Sequence, residues 1–177
     1  GPWVGIVGLF PMFRNRTGHD ISLEDRVNDC FERSMNGTAL PANSESMKDI
    51  IAYMTWLSEG VPVGTPVEGR GFLRIENPPE PDPAHGEVVY RAKCAACHGA
   101  EGQGLKADGK TVYPPLWGDE AFNIAAGMAR LDTASAFVRW NMPFGQGGTL
   151  TDQEAYDVSA FFTTQPRPDF PGKSADW

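Results

Sequence analysis

Apolar residues recur at helical spacing in separate stretches of the chain, and the polar residues between them supply starts and stops. Ser22 to Met35 places Leu23, Val27, Cys30 and Phe31 on one stripe and ends at Asn36-Gly37, which predicts a helix with a glycine stop. After a loop opened by Leu40-Pro41, Ser46 to Leu57 repeats the pattern with Ile50, Ile51, Met54 and Leu57. Gly86 to Lys93 reads as a short amphipathic turn or two, and Thr133 to Trp140 as a helix broken by Pro143. Thr151-Asp152-Gln153-Glu154 is a capping box opening a last helix that runs to about Thr164, with Ala155, Val158, Phe161 and Phe162 on its apolar face. Gly99 to Gly109, with four glycines, reads as a loop, and Tyr113 to Gly118 as extended backbone. The expected fold class is all-α.

Composition narrows the partners more than the fold. The chain has 177 residues, 41% of them apolar and 11% aromatic, enough to bury one core or two small ones. A net charge of −8 argues against nucleic acid or an anionic bilayer as the main partner. No apolar run reaches the length of a membrane span, so no membrane insertion is expected. With no initiator Met and no leader-like start, the sequence is expected to be a processed or truncated piece.

Three cysteines carry the chemistry. Cys94-Ala95-Ala96-Cys97-His98 is the attachment motif of c-type haem: two thiols one helical turn apart form thioethers with the vinyl groups, and the adjacent imidazole ligates the iron. A zinc knuckle would need a second ligand pair, and the only other histidines are His19 and His85. A thioredoxin-like pair should follow a strand and open a helix, whereas a Gly/Asp-rich loop follows here. Haem c is therefore expected at Cys94 and Cys97, and because such haem is attached outside the cytoplasm, a periplasmic location follows. Met142, in Asn141-Met142-Pro143-Phe144-Gly145, lies 44 residues after His98 on a glycine-rich loop, a poor place for a core residue and a good one for a soft thioether ligand. Residues 84–177 thus have the order of parts of a class I cytochrome c domain with a C-terminal tail.

The same order appears incompletely in residues 1–60. Ala52-Tyr53-Met54 lies over Ala160-Phe161-Phe162, and Cys30 falls where Met142 falls. The expectation is two class I cytochrome c-like domains in tandem, the N-terminal one truncated, with its proximal histidine upstream of Gly1. Residues 61–83, with six prolines, read as a linker packed along the surface through Phe72, Leu73 and Ile75.

Around Cys30 an otherwise acidic sequence concentrates Arg14, Arg16, Arg26 and Arg33. Cationic neighbours make a thiol a better nucleophile and metal ligand, and guanidinium groups bind oxyanions through forked hydrogen bonds. Two readings stand side by side: a reactive cysteine in an anion site, or a buried cysteine on an apolar stripe whose arginines pair with Glu24, Asp25, Asp29 and Glu32. Arg167, distant in sequence, reads as an exposed arginine.

Asn15 to Asp20, Arg26 to Gly37, Met47 to Val63, the Cys94 to His98 motif, Pro114-Pro115-Leu116-Trp117-Gly118 and Asn141 to Gly145 together resemble the dihaem cytochrome c family of thiosulfate dehydrogenases, also called tetrathionate reductases. The resemblance covers nearly the whole chain. It implies that Cys30 is the distal ligand of a catalytic haem, that Arg16, Arg26 and Ser34 line its anion pocket, and that Met142 ligates opposite His98 on an electron-transfer haem. Where some members carry a lysine beside the methionine, Asn141 stands here, so no ligand switch is expected. The family's first C-x-x-C-H is absent from these residues, so the second haem beside Cys30 requires an upstream segment or another chain. The implied activity is oxidative coupling of two thiosulfates to tetrathionate, in either direction, with a soluble or membrane-bound cytochrome as acceptor. The alternatives are a non-catalytic electron carrier and a sulfur-oxidising cytochrome subunit of a multi-protein complex.

Overall fold

The computed structural model describes residues 3–69 and 71–176, so Arg70 of the expected linker lies outside the described residues. The chain forms two compact units, one of Gly1–Glu32, Gly37–Gly71 and Pro171–Trp177, the other of Arg33–Asn36 with Phe72–Phe170.

In the first unit an antiparallel hairpin of β1 (Met12–Arg14) and β2 (His19–Ile21) leads into α1 (Leu23–Asp29). Ser22 caps α1: its hydroxyl accepts from the Asp25 N–H at 3.1 Å, and the Asp25 carboxylate accepts from the Ser22 N–H at 2.9 Å. The expected helix to Met35 is not one continuous α-helix. It loosens at Cys30 into a π-helical turn, Cys30–Ser34, closed by a left-handed Asn36 (φ 47°) and a hydrogen bond from the Gly37 N–H to the Phe31 carbonyl. Asn28 brackets the next loop by accepting from the N–H of Leu40 and donating to its carbonyl. Helix α2 (Glu45–Leu57), capped by Ser44, completes a core of Leu23, Val27, Met47 and Met54.

In the second unit α3 (Pro83–Lys93) starts three residues earlier than expected. Asp82 accepts from the N–H groups of Ala84 and His85, and Pro83 occupies the first turn, where its missing N–H costs nothing. The short α4 (Ala95–His98) follows. The expected glycine loop contains a hairpin, β3 (Leu105–Ala107) with β4 (Lys110–Tyr113), turning at Asp108-Gly109, both at positive φ. Then come α5 (Leu131–Asn141) and α6 (Asp152–Thr163), the latter opened by the Thr151/Glu154 capping box as expected.

Helices α3 and α6 cross where Gly86 meets the Asp157 carbonyl. Val89, Tyr90, Ala134, Val138, Leu150, Ala155, Val158 and Phe162 form the core beside this crossing. Phe72 packs edge-on against Phe137 and Ile75 reaches the core, while Leu73 stays exposed. Asp157, 1% exposed, fastens the start of α3 to α6: it accepts from the Asp82 N–H, lies 2.7 Å from His85 Nδ1, and accepts from Gln153. Burial alone would raise its pKa. The Asp82 N–H, His85 and Gln153 together outweigh that and hold it below the usual carboxylate range.

A group with a depressed folded pKa stabilises the fold above its unfolded pKa and loses that contribution as pH falls through the folded value. Melting temperature should therefore drop as pH is lowered below about 4. An Asp157→Asn protein should melt lower at neutral pH and show a shallower acid dependence. Parallel acid profiles for the two proteins would remove Asp157 from this account.

Candidate functional site

A cavity of about 550 Å³ opens in the second unit, and Cys94, Cys97, His98 and Met142 all line it. Its remaining walls are largely apolar, among them Pro114, Leu116, Phe122, Val138 and Phe162. The short α4 sets the two thiols one turn apart and delivers His98 at its end. His98 Nδ1 is hydrogen-bonded to the Pro114 carbonyl at 2.8 Å, which fixes the ring and leaves Nε2 available as a ligand. Tyr90 donates to the Gly99 carbonyl at 2.6 Å, bracing the exit from the motif, and its ring packs with Trp117 and Phe161. Burial, then the neighbouring Cys97, pushes the Cys94 thiol up to about 11. Met142 follows α5 in extended backbone, half-buried. This donor set fits an iron tetrapyrrole: two thiols one turn apart, an oriented imidazole, a thioether and apolar walls.

The first unit holds Cys30 at the start of the π-helical turn, half-buried, with Arg26 Nη1 donating to its Sγ at 3.0 Å. The other arginines are placed differently. Arg14 pairs with Asp29 at 2.9 Å, realising for one residue the ion-pair reading of the sequence. Arg16 stands beside Asp176 at 3.9 Å, its side chain largely buried. Arg33 is buried in the second unit with its guanidinium over the Phe170 ring at 4.3 Å, and Ser34 lines the second unit's cavity. Of the residues expected around Cys30, the hydrogen bonds thus bring Arg26 to the thiol, while Ser34 is found with Cys94, Cys97, His98 and Met142.

Two residues were missed from the sequence. Asp176 reaches Arg16 from the far end of the chain, with no local signal. Arg167 is half-buried: it donates to the carbonyls of Phe162 (2.5 Å) and Leu116 (3.3 Å) and lies over the Phe122 ring at 4.4 Å.

The chain is similar to known cytochrome c domains and thiosulfate dehydrogenases. Residues 81–162 match the model of cytochrome c oxidase, cbb3-type, subunit III, and residues 3–63 match the SoxA/TsdA cytochrome c domain, so the chain is built of cytochrome c domains and implies haem c. It is 50% identical to the thiosulfate dehydrogenase of Allochromatium vinosum over 99% of this chain and 65% of that protein. It is 45% identical to that of Psychrobacter arcticus over 99% of this chain and 54% of that protein. The solved thiosulfate dehydrogenase TsdBA from Marichromatium purpuratum superposes with a TM-score of 0.89 at 38% identity, over 96% of this chain and 38% of that one. The chain belongs to the thiosulfate dehydrogenase family of c-type cytochromes. It spans about half to two thirds of the length of the curated relatives named here. Among the described residues, no helix is long and apolar enough to cross a membrane.

Proposed function

We propose that the whole protein is a periplasmic, mainly helical cytochrome that couples two thiosulfates to tetrathionate and releases two electrons to another cytochrome. In this reading residues 1–60 belong to a catalytic cytochrome c-like domain, 61–83 are a linker, and 84–177 form an electron-transfer domain with its tail. Cys94 and Cys97 hold one haem, with His98 and Met142 as its iron ligands; Cys30 faces a second haem whose attachment motif lies outside these residues. Haem c, when bound, supplies one-electron acceptors. Everything else is the work of this chain's side chains.

The observation that carries the proposal is the Arg26–Cys30 contact at 3.0 Å in a chain of this family. Two dianions must meet for the reaction, so a cation at the reacting sulfur offsets charge where it accumulates. The Cys30 thiolate forms an S–S bond to the terminal sulfur of one thiosulfate as two electrons leave. A second thiosulfate then attacks that bond, releasing tetrathionate and returning the thiolate. Arg26 stabilises the anion on either sulfur. Arg16 lies in the same unit, its charge offset by Asp176 at 3.9 Å. At the other end, the Pro114 carbonyl orients His98 and the Met142 thioether favours the reduced state of its iron.

A Met142→Ala protein should keep its covalently bound haem but lose the weak near-infrared sulfur-to-iron band of the oxidised His/Met form, with a lower reduction potential. Retention of that band would exclude Met142 as a ligand. The activity itself is tested by tetrathionate formation from thiosulfate with an added acceptor: a non-catalytic carrier forms none.

A further inference from the structure

The cavity of the second unit has a cation behind its wall. Among the described residues Arg167 has three partners, and each is a cavity-wall residue: the carbonyls of Leu116 and Phe162 and the ring of Phe122. Among the described residues it makes no ion pair with a carboxylate. Its side chain is half-buried, and an arginine does not give up its proton in a protein. Burial acts only to lower its pKa. A desolvated positive charge without a counter-ion acts at longer range than one on the surface, because little water screens it.

We propose that Arg167 is a positioning and potential-setting residue for the iron site of this cavity: its charge disfavours the more positive ferric state, and its two hydrogen bonds tie the Leu116 wall to the end of α6. The inference rests on the reading that the cavity holds the haem of His98 and Met142. Removing the charge leaves the ligands in place and stabilises the oxidised form. The Arg167→Gln protein, which keeps amide donors but no charge, should favour oxidation about tenfold more than the parent, a fall of ~59 mV for one electron. Arg167→Lys, which keeps the charge, should stay close to the parent even if it melts as low as the glutamine variant.

The test is a potentiometric titration of the full-length, haem-loaded proteins, with the visible spectrum and melting temperature recorded for each. Should the glutamine variant fail to accumulate, Arg167→His replaces it. Its potential should fall with pH as the imidazole loses its proton, with a step the parent lacks. Equal potentials in parent and Gln variant, an equal fall in Gln and Lys variants, or a His variant without the extra step would overturn the proposal. A parent with no haem covalently bound at Cys94 and Cys97 would instead overturn the reading on which it rests.

Discussion

An alanine at Gly86 is expected to destabilise the second unit by about 3 kcal/mol, even though alanine is the better helix former by about 1 kcal/mol. A Cβ built at Gly86 overlaps the Asp157 carbonyl oxygen, sits 2.5 Å from its carbon and 3.0 Å from Phe161 Cβ. The obstacle is backbone, so no rotamer change relieves it, and α3 must move off α6. That movement would loosen the Asp82–Asp157 hydrogen bond and the Tyr90–Phe161 packing together, and Tyr90 braces the motif that carries Cys94, Cys97 and His98. Gly127→Ala is the control, since the nearest atom to its added Cβ is 3.6 Å away. Urea unfolding of the haem-loaded proteins measures both. Equal loss in the two, or none at Gly86, would show that the crossing tolerates wider spacing.

Replacing Cys30 by alanine in the full-length protein is expected to abolish tetrathionate formation while the haem of His98 and Met142 keeps its spectrum. The sulfur that forms and breaks the S–S bond is gone, and the other two cysteines, Cys94 and Cys97, belong to the second unit. Arg26→Ala keeps that sulfur but removes the 3.0 Å charge-assisted hydrogen bond, a change of about 1.5–3 kcal/mol, or roughly tenfold to a hundredfold in kcat/KM. Arg91, 60% exposed at its side chain and paired with Glu87, is the control. Equal losses in Arg26→Ala and Arg91→Ala would place the anion site elsewhere, and residual full activity in Cys30→Ala would remove the cysteine from the chemistry.

These positions were not equally legible in the sequence. The Thr151/Glu154 capping box and the spacing of Ala155, Val158, Phe161 and Phe162 are local signals, and α6 formed where they placed it. The start of α3 was set by Asp82 and Pro83, which a proline-rich run disguised as linker. Both hairpins escaped because their strands are three or four residues long and mostly exposed, so no buried face imposes an alternating pattern. The π-helical turn at Cys30 escaped because its apolar stripe also suits an uninterrupted α-helix. Residue type and spacing singled out the C-x-x-C-H motif and Met142, and these residues line one cavity. The different placements of Arg16, Arg33 and Ser34 depend on Asp176, Phe170 and the second unit's cavity, partners that no local pattern reveals.

The most direct test of thiosulfate oxidation coupled to the His98/Met142 haem is anaerobic mixing of the oxidised full-length protein with thiosulfate, followed in the visible spectrum. Thiosulfate alone should bring up the reduced bands of that haem. If they appear with dithionite but not with thiosulfate, the protein is a carrier, and its proposed catalytic role is wrong.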